Sequence, residues 1–199
     1  MTDPYVYPGT DVLRNKENIR DADELSAFER VATANRMETL PDNVPITADG
    51  YRGIHRYIFQ DVYDWAGNDR IVDIAKGDEL FCLAAYIDQE LERRFEAIRT
   101  ENALRGLTAE KFAARAANHI SELNAIHPFR EGNGRTQRAF LVVLGQQAGH
   151  EIDIARIDPQ AWNDASRQSF RTGDAGPYAM SSPTPWDYNG TTFLLLSKP

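Results

Sequence analysis

The sequence is poor in the features that mark secreted and membrane proteins. It contains one cysteine, Cys82, among 199 residues, which excludes an internal disulfide and is typical of a reducing compartment. Its longest apolar runs, residues 139–144 and 193–196, are far shorter than the roughly 20 residues of a membrane span. The N-terminus has no basic-then-apolar signal pattern. We therefore expect a cytoplasmic protein without a membrane partner.

Basic residues are also scarce, with 22 Lys and Arg against 30 Asp and Glu and a net charge of −8. No basic stripe is available to follow a phosphate backbone, so direct nucleic-acid binding is not expected. His55, His119 and His150 have no second ligand at metal-binding spacing, which predicts packed or surface roles for them. At this length, with 42% hydrophobic residues, the chain can bury one core as a single domain.

The apolar pattern has a helical period over most of the chain and predicts an all-α fold, with helix starts at Thr47, Thr108 and Asp158-Pro159. One stretch departs from it. Residues 70–75 alternate with β-branched side chains, residues 76–78 are turn-like and residues 79–82 can return, which predicts a short β-hairpin packed against the helices. From residue 176 onward, glycines and prolines predict irregular structure.

Chemistry-bearing residues are concentrated in one run of twelve, HPFREGNGRTQR, at residues 127–138. Gly132 and Gly134 can adopt positive φ and turn consecutive N–H groups towards one point. The following stretch, Arg135 to Ala148, has an apolar helical period, with a stop at Gly149. The bend should therefore lie at a helix N-terminus, where an anion is favoured. Asn133 tolerates such a bend and its amide can donate to a phosphate.

The charged residues of this run suit a nucleoside triphosphate. Arg135 and Arg138 are three residues apart, on one side of the first helical turn, and guanidinium groups match phosphate oxygens. The carboxylate of Glu131 would repel a bare phosphate unless it holds Mg²⁺, which takes one or two carboxylates together with phosphate oxygens. His127 ends the preceding helical stretch, and Pro128 biases it out of helical geometry. Its side chain is suited to accept a proton from an attacking hydroxyl.

The run resembles the signature of the Fic family, His-Pro-Phe-x-(Asp/Glu)-Gly-Asn-Gly-Arg-x-x-Arg, with all nine specified positions present. Segments 3–9 (DPYVYPG) and 12–16 (VLRNK), then Ile54-His55, segment 61–67 (DVYDWAG) and Arg70, are also similar to short bacterial members. The resemblance covers roughly residues 3–173. It predicts a single Fic domain over residues 1–175, including an N-terminal leading segment, and an irregular tail over residues 176–199.

The resemblance implies a protein adenylyltransferase, which moves AMP from ATP to a hydroxyl of a target protein. His127 would be the general base and Glu131 the Mg²⁺ ligand. Gly132, Asn133 and Gly134 would form the anion cradle, with Arg135 at the β-phosphate and Arg138 at the γ-phosphate. In family members that act as kinases, Lys replaces the glycine at position 134, so Gly134 favours AMP transfer.

The hairpin corresponds to the family's flap, which aligns a segment of the target protein by strand addition. Ile74 and Leu80 would clamp the target, while Lys76 and Gly77 would lie close to the nucleotide. The alternative interpretation of the hairpin is a surface elaboration without a function.

Many Fic proteins carry an inhibitory helix with the motif (Ser/Thr)-x-x-x-Glu-(Gly/Asn), and this sequence has no match to it. The resemblance then implies the toxin of a toxin–antitoxin pair, in which a small antitoxin supplies a glutamate to Arg138. Type II topoisomerase subunits are candidate targets. Two other classes remain open: a Fic-fold enzyme of different chemistry (UMP or phosphoryl transfer, or removal of AMP) and a catalytically silent binding module.

Overall fold

The computed structural model describes residues 3–77, 79–153, 157–179 and 195–197. Helices dominate this part of the chain, as the apolar period predicts. The helices are α1 (Ala22–Glu38), α2 (Ala48–Phe59), α3 (Ile87–Thr100), α4 (Ala109–Ile126), α5 (Asn133–Ala148), α6 (Pro159–Thr172) and the short α7 (Gly176–Ala179). Single 3₁₀ turns at Ala84–Tyr86 and Asn102–Leu104 flank α3.

Side-chain caps set the start of several helices. The hydroxyls of Thr47 and Thr108 accept the N–H of Gly50 and of Lys111 at the starts of α2 and α4. Asp158 caps α6, with Pro159 in the first helical position. Such caps satisfy N–H groups that have no partner inside the helix. All three starts were predicted from the sequence.

The core lies where α5 packs against α2 and α4. Tyr51 of α2 is fully buried at its centre. Its ring stacks on Phe129 at 5.7 Å between centroids and meets Phe140 edge-on at 5.4 Å. Phe129 belongs to the HPFREGNGRTQR run. One residue of the candidate site is therefore also a core residue, and it ties the run to α2.

The predicted hairpin is present but shorter than expected. Strands β1 (Ala75–Lys76) and β2 (Glu79–Leu80) pair antiparallel, with Ala75 opposite Leu80. Residues 70–74, predicted as part of the first strand, lie outside it. Their polar groups have other partners: Arg70 donates to the carbonyl of Val72, and the Asp73 carboxylate accepts the N–H of Ala84. These contacts compete with a longer ladder.

Three short elements near the end of the described chain were not expected from the sequence. Strand β3 (His150–Ile152) follows Gly149, where α5 ends as predicted, and pairs antiparallel with β4 (Leu195–Ser197). The tail, for which irregular structure was predicted, thus contains α7 and β4; residues 180–194 and 198–199 lie outside the described part. Among the described helices, none is both long and apolar enough to cross a membrane.

Candidate active site

The HPFREGNGRTQR run forms the loop between α4 and α5, here called the motif loop (residues 127–138, including the first turn of α5). His127 is the C-cap of α4 and adopts a left-handed conformation, with φ 49° and ψ 61°. Pro128, which follows, disfavours helical geometry at the preceding residue. The prediction that His127 leaves the helix is confirmed. The turn separates its side chain from the apolar face of α4.

Gly132 is required for two independent reasons. Its φ is +84°, in the left-handed region that side chains with a Cβ rarely adopt. A Cβ there would also lie 2.2 Å from the Phe59 ring. The loop backbone thus passes directly over a core aromatic ring as it enters α5.

Gly134 differs from the sequence-based expectation of positive φ. It is the second residue of α5 and is not among the positive-φ glycines, because the helix begins at Asn133, two residues earlier than predicted. A Cβ at Gly134 would meet nothing within 4 Å. The lack of a side chain at Gly134 therefore leaves open space above the N–H groups of the first helical turn, where an anion is favoured.

The Asn133 side chain faces inward. Its Oδ1 accepts the N–H of Phe129 at 3.0 Å and its Nδ2 donates to the carbonyl of Phe129 at 2.7 Å. The residue is only 3% exposed. The amide thus closes the loop, and its expected donation to a phosphate stays a prediction.

His55 of α2 holds the carboxylate-bearing part of the loop in place. The N–H of Gly67 donates to Nδ1 at 2.8 Å, so the proton must lie on Nε2, which donates to the Glu131 carbonyl at 3.0 Å. The ring stacks on Phe129 at 3.9 Å. Burial lowers the pKa of His55 to about 3, so the imidazole stays neutral. The sequence-based prediction of a packed role was correct.

His127 has the protonation state of a base at neutral pH. Burial lowers its pKa to about 4, and the positive charges of Arg70 and Lys76 act in the same direction. Nδ1 lies 3.2 Å from the Asn124 carbonyl oxygen, which can only accept. Nδ1 therefore carries the proton, and Nε2 is left with a free lone pair.

A small cavity, partly open to solvent, borders His127. Lys76 of β1 is one of its lining residues, and its expected place close to the nucleotide stays a prediction. Phe81 stacks on the His127 ring at 3.9 Å. The other lining residues are Asn124 of α4 and Ser166, Arg167 and Phe170 of α6.

Sequence reasoning missed the contribution of α6 to this cavity. The spacing of Ser166, Arg167 and Phe170 places them on one side of a helix. That pattern was visible, but nothing in it distinguishes a cavity wall from an ordinary packed or solvated face.

Arg135 is bound by carboxylates on both sides. Its Nη2 lies 2.5 Å from Glu29 Oε1 and 3.3 Å from Glu131 Oε1. The Tyr63 hydroxyl donates to the other oxygen of Glu29, and the guanidinium lies over the Phe59 ring at 4.7 Å. An oxyanion at Arg135 must share or displace these carboxylates.

Glu29 was overlooked in the sequence, although a signal for it exists. Leu25, Glu29 and Thr33 follow one another at intervals of four residues and are the buried residues of α1. That spacing places a carboxylate on the inner face of the helix.

Arg138, three residues further along α5, is in a different state. It is partly buried, and burial together with the charge of Arg135 lowers its pKa. Within the described part of the chain, no hydrogen bond or ion pair of its guanidinium is recorded. A partly desolvated cation without an anion is what an incoming phosphate or carboxylate would satisfy.

The carboxylate of Glu131 suits a divalent cation. Its side chain is 44% exposed, and Oε1 accepts the N–H of Gly132 at 2.8 Å, which leaves Oε2 for a metal. No group of three or more His, Cys, Asp or Glu residues around a possible metal position is found among residues 3–77, 79–153 and 157–179. One carboxylate beside an anion site fits Mg²⁺, because this ion takes most of its ligands from water and phosphate.

Two of the other predicted residues of the flap, which is defined here as residues 70–82, lie on its surface. Leu80 is 55% exposed and Gly77 occupies the turn with φ +63°. Ile74 is half-buried just before β1, where its carbonyl accepts the N–H of Phe81 at 3.2 Å. The structure brings Lys76 to the cavity at His127 but records no contact of Gly77, Ile74 or Leu80 with the motif loop.

Comparison with known proteins agrees with this geometry. Residues 45–144 match the model of the Fic/DOC family. The chain is 46% identical over 181 residues to a probable protein adenylyltransferase, y4lH, of Sinorhizobium fredii, covering 90% of this chain and 93% of that protein. It is 40% identical over 173 residues to the probable protein adenylyltransferase Fic of Escherichia coli, covering 86% of each.

A solved structure extends the likeness to three dimensions. The BepC effector of Bartonella tribocorum, crystallised with bound AMPPNP, aligns with a TM-score of 0.79 and 28% identity, over 87% of this chain and 91% of that one. The overall fold is therefore shared with a protein that was crystallised with an ATP analogue.

Proposed function

Because this chain belongs to the Fic/DOC family, we propose that it transfers AMP from ATP to a hydroxyl of a target protein and releases pyrophosphate. The chain is an enzyme of the nucleotidyltransferase class, as its relatives are. The observation that carries the reaction type is His127: a neutral imidazole with Nε2 free, in the motif loop that leads into α5 and bordering a cavity lined by the flap, α4 and α6.

The triphosphate would lie on the first turn of α5. The N–H groups of Asn133 and Gly134 belong to the first turn of α5, where the helix dipole favours negative charge, whereas the N–H of Gly132 donates to the Glu131 carboxylate. Arg138 would take the γ-phosphate, because its guanidinium has no recorded partner in the described chain. Arg135 would take the β-phosphate in exchange for part of its contact with Glu29 or Glu131.

The transfer step needs one proton acceptor. The target hydroxyl oxygen would bond to the α-phosphorus while the bond from that phosphorus to the bridging oxygen of the β-phosphate breaks. The hydroxyl proton would pass to Nε2 of His127, and pyrophosphate would leave. Because Nδ1 already donates to Asn124, the ring has one orientation in which to accept this proton.

Glu131 would hold Mg²⁺, whose charge offsets that of the phosphates when bound. The protein part of this site is a single carboxylate on the motif loop. Two hydrogen bonds set the position of this carboxylate. His55 donates to the Glu131 carbonyl, and the N–H of Gly132 donates to the Glu131 carboxylate.

The flap would dock the target. Strands of two residues leave most of the hairpin backbone available for pairing with an extended segment. Ile74 and Leu80 would clamp that segment from opposite arms of the flap, while Lys76 and Gly77 lie at the turn near the nucleotide. The same hairpin without a target would be a plain surface elaboration.

The same residues bear on the other reactions that remain open for this fold. Phosphoryl transfer is disfavoured by the open space at Gly134, and a silent binding module by the free Nε2 of His127. Transfer of UMP and removal of AMP would use the same catalytic groups as AMP transfer. Only assays with the different substrates can therefore distinguish these reactions.

A labelling experiment separates these functions. The protein is incubated with a bacterial lysate and ATP labelled at the α- or the γ-phosphate, and with α-labelled UTP in parallel. AMP transfer predicts labelled protein bands from α-labelled ATP alone. Bands from γ-labelled ATP would identify a kinase, bands from UTP a uridylyltransferase, and no bands at all would contradict transfer onto protein.

We also propose regulation in trans, as in a toxin–antitoxin pair. The guanidinium of Arg138, without a recorded partner in the described chain, is a binding site for a glutamate as well as for a γ-phosphate. Because the sequence has no inhibitory motif, that glutamate would come from a small antitoxin over α5. Type II topoisomerase subunits are the first targets to test, in the cytoplasm.

This regulation has a direct test. The isolated chain should transfer label without activation and should slow growth when overproduced. A helical peptide with the inhibitory motif should block transfer in wild-type protein and lose most of its effect in Arg138→Ala. An isolated chain that becomes active only after trimming of its own terminus would refute inhibition in trans.

A further inference from the structure

Arg70 is a buried charge that the proposed reaction leaves without a role. Its side chain is 2% exposed, and no acidic side chain of the described chain forms an ion pair with it within 4 Å. Burial lowers its pKa. A buried guanidinium is costly unless its donors are satisfied. The acceptors to which these donors bond therefore indicate the role of Arg70.

Four backbone carbonyls accept from this one side chain. Nε donates to His127 O at 2.9 Å, and Nη1 donates to Val72 O at 2.7 Å. Nη2 is shared between Cys82 O at 2.5 Å and Ile126 O at 3.3 Å. Two acceptors are on the two arms of the flap, and the other two are the last residue of α4 and the His127 cap.

The backbone repeats the same connection. The Arg70 N–H donates to Pro128 O at 2.8 Å, and the Cys82 N–H donates to Ala125 O at 3.1 Å. Phe81, next to Cys82, stacks on the His127 ring. The flap is therefore fastened to both sides of His127 by main-chain and side-chain bonds that converge on Arg70.

His127 needs such support. A left-handed conformation costs a non-glycine residue about 1–2 kcal/mol, and it persists only where neighbouring contacts impose it. The N–H of His127 is held by Leu123 O at 3.0 Å. Its carbonyl is held by Arg70. These two bonds fix the peptide groups on either side of the Cα, and with them the direction of the imidazole.

We propose that Arg70 is a positioning residue for the general base: it holds the His127 backbone in its left-handed conformation and joins the base to both arms of the flap. This inference rests on the proposed function, because His127 acts as base only there. A target docked on the flap would then meet a base whose distance from the flap is set by one side chain.

The variants Arg70→Lys and Arg70→Gln test this role. Lysine keeps the charge but cannot reach four carbonyls, and glutamine removes the charge as well. We expect transfer from α-labelled ATP at saturating ATP to fall about 10–100-fold in both, since a misplaced catalytic group costs rates of this order. ATP affinity, measured by calorimetry, should be unchanged because the triphosphate site on α5 is untouched.

Arg94→Lys and Arg94→Gln are matched controls. Arg94 is also mostly buried and bonded, to Glu122 and His119, but it contacts neither flap nor motif loop. If the loss of transfer in the Arg70 variants reflected general destabilisation, the Arg94 variants would lose as much activity at the same loss of thermal stability.

NMR of ¹⁵N-labelled histidine gives a readout that needs no transfer. In wild-type protein His127 should be the Nδ1–H tautomer with a lowered pKa. Arg70→Gln should raise that pKa, because a positive neighbour is lost, and should mix the tautomers. Unchanged His127 signals and wild-type transfer in a folded Arg70→Gln protein would overturn the proposal.

Should Arg70→Gln fail to fold, Arg70→Lys is decisive by the same criteria. Should both fail, the wild-type Nε proton of Arg70 decides: it should be protected from exchange and should shift as His127 titrates, and exchange at the solvent rate would refute the contact. Wild-type protein that transfers no AMP would count against the proposed function, whereas the NMR result would still report on Arg70.

Discussion

The motif loop and the flap face the same cavity but are built in opposite ways. The motif loop is held by buried groups. Phe129 packs in the aromatic core, the Asn133 amide bonds the Phe129 backbone and closes the loop, and His55 donates to the Glu131 carbonyl. The flap has strands of two residues and an exposed Leu80. Parts that handle the nucleotide are thus constrained by the core, whereas parts proposed to meet the target are constrained mainly at their base, by Arg70.

This contrast separates two kinds of mutational effect. A change in the motif loop alters either chemistry or folding, since nearly every group there has a buried partner. A change at the tip of the flap should alter target recognition with little effect on either. The following predictions test that division, from the largest expected effect to the smallest.

His127→Ala should reduce AMP transfer by about 10²–10⁴-fold, the usual contribution of a general base. ATP binding and the fold should be retained, because the triphosphate site lies on α5. The measurement is label transfer from α-labelled ATP together with calorimetric ATP binding. His150→Ala is the control: His150 bonds Leu107 O and packs on Phe112, away from the motif loop. Equal activity of the two variants would remove His127 from the mechanism.

Gly132→Ala should destabilise the protein by about 2–5 kcal/mol, combining left-handed strain of about 1–2 kcal/mol with overpacking of about 1–3 kcal/mol. The strain arises at φ +84°, and the overpacking arises against Phe59. Gly134→Ala is the matched control, since that position is helical and open; it should be neutral or stabilising by up to about 1 kcal/mol. Chemical denaturation measures both. Similar losses at the two glycines would contradict the geometry.

Glu131→Gln should weaken Mg²⁺-dependent ATP binding and lower transfer, with partial recovery in excess Mg²⁺. Glutamine keeps the size of the side chain but loses the charge that a divalent cation requires. ATP titrations with and without Mg²⁺ give the result. If the variant binds ATP as tightly as wild type in Mg²⁺, and transfers label fully in EDTA, the carboxylate is not a metal ligand.

Leu80→Ala should raise the KM for the target about threefold to tenfold, equivalent to about 0.7–1.4 kcal/mol, and should leave ATP binding unchanged. Val31→Ala is the matched control, because Val31 is a similarly exposed apolar residue on α1. Both should change the stability by less than about 0.5 kcal/mol. A loss of transfer common to both variants would mean that Leu80 does not mark a docking surface.

The smallest effect concerns pH. The pKa of His127 is lowered to about 4, so its base form is populated above that value and is lost only as pH falls through it. Transfer should therefore stay constant between about pH 8 and 6, through the usual His pKa of about 6.5. Stability should behave differently: the unfolded chain binds protons below about pH 6.5 that folded His55 and His127 exclude, so stability falls with falling pH there. A rate that halves near pH 6.5 would contradict the burial of His127.

The sequence was informative wherever one residue type has one physical reason to be there. Helix caps at Thr47, Thr108 and Asp158, the stop at Gly149 and the departure of His127 from the helix all follow from local rules, and the structure has each of them. The membership of the Fic/DOC family also followed from the motif residues, and the comparisons confirm it.

Local rules failed where the decisive partner is distant in sequence. Gly134 was expected to have positive φ, but its conformation depends on where α5 begins, and Asn133 sets that start by bonding Phe129. Glu29 and Arg135 are 106 positions apart, and only the packing of α1 brings them together. The pairing of β3 with β4 is likewise long-range, so neither strand carried a signal of its own.

The surroundings of the histidine Nε2 atoms predict which imidazole a chemical label would modify. All four lie in the described chain, and three have Nε2 occupied or enclosed: by Glu131 O at His55, by Leu107 O at His150, and in the buried space beside Glu101 at His119. His127 alone presents an unbonded Nε2 towards a cavity. An acylating reagent such as diethylpyrocarbonate should therefore modify this one imidazole first, and ATP should slow the modification. Mass spectrometry of the modified peptide would then measure active-site occupancy without any knowledge of the target.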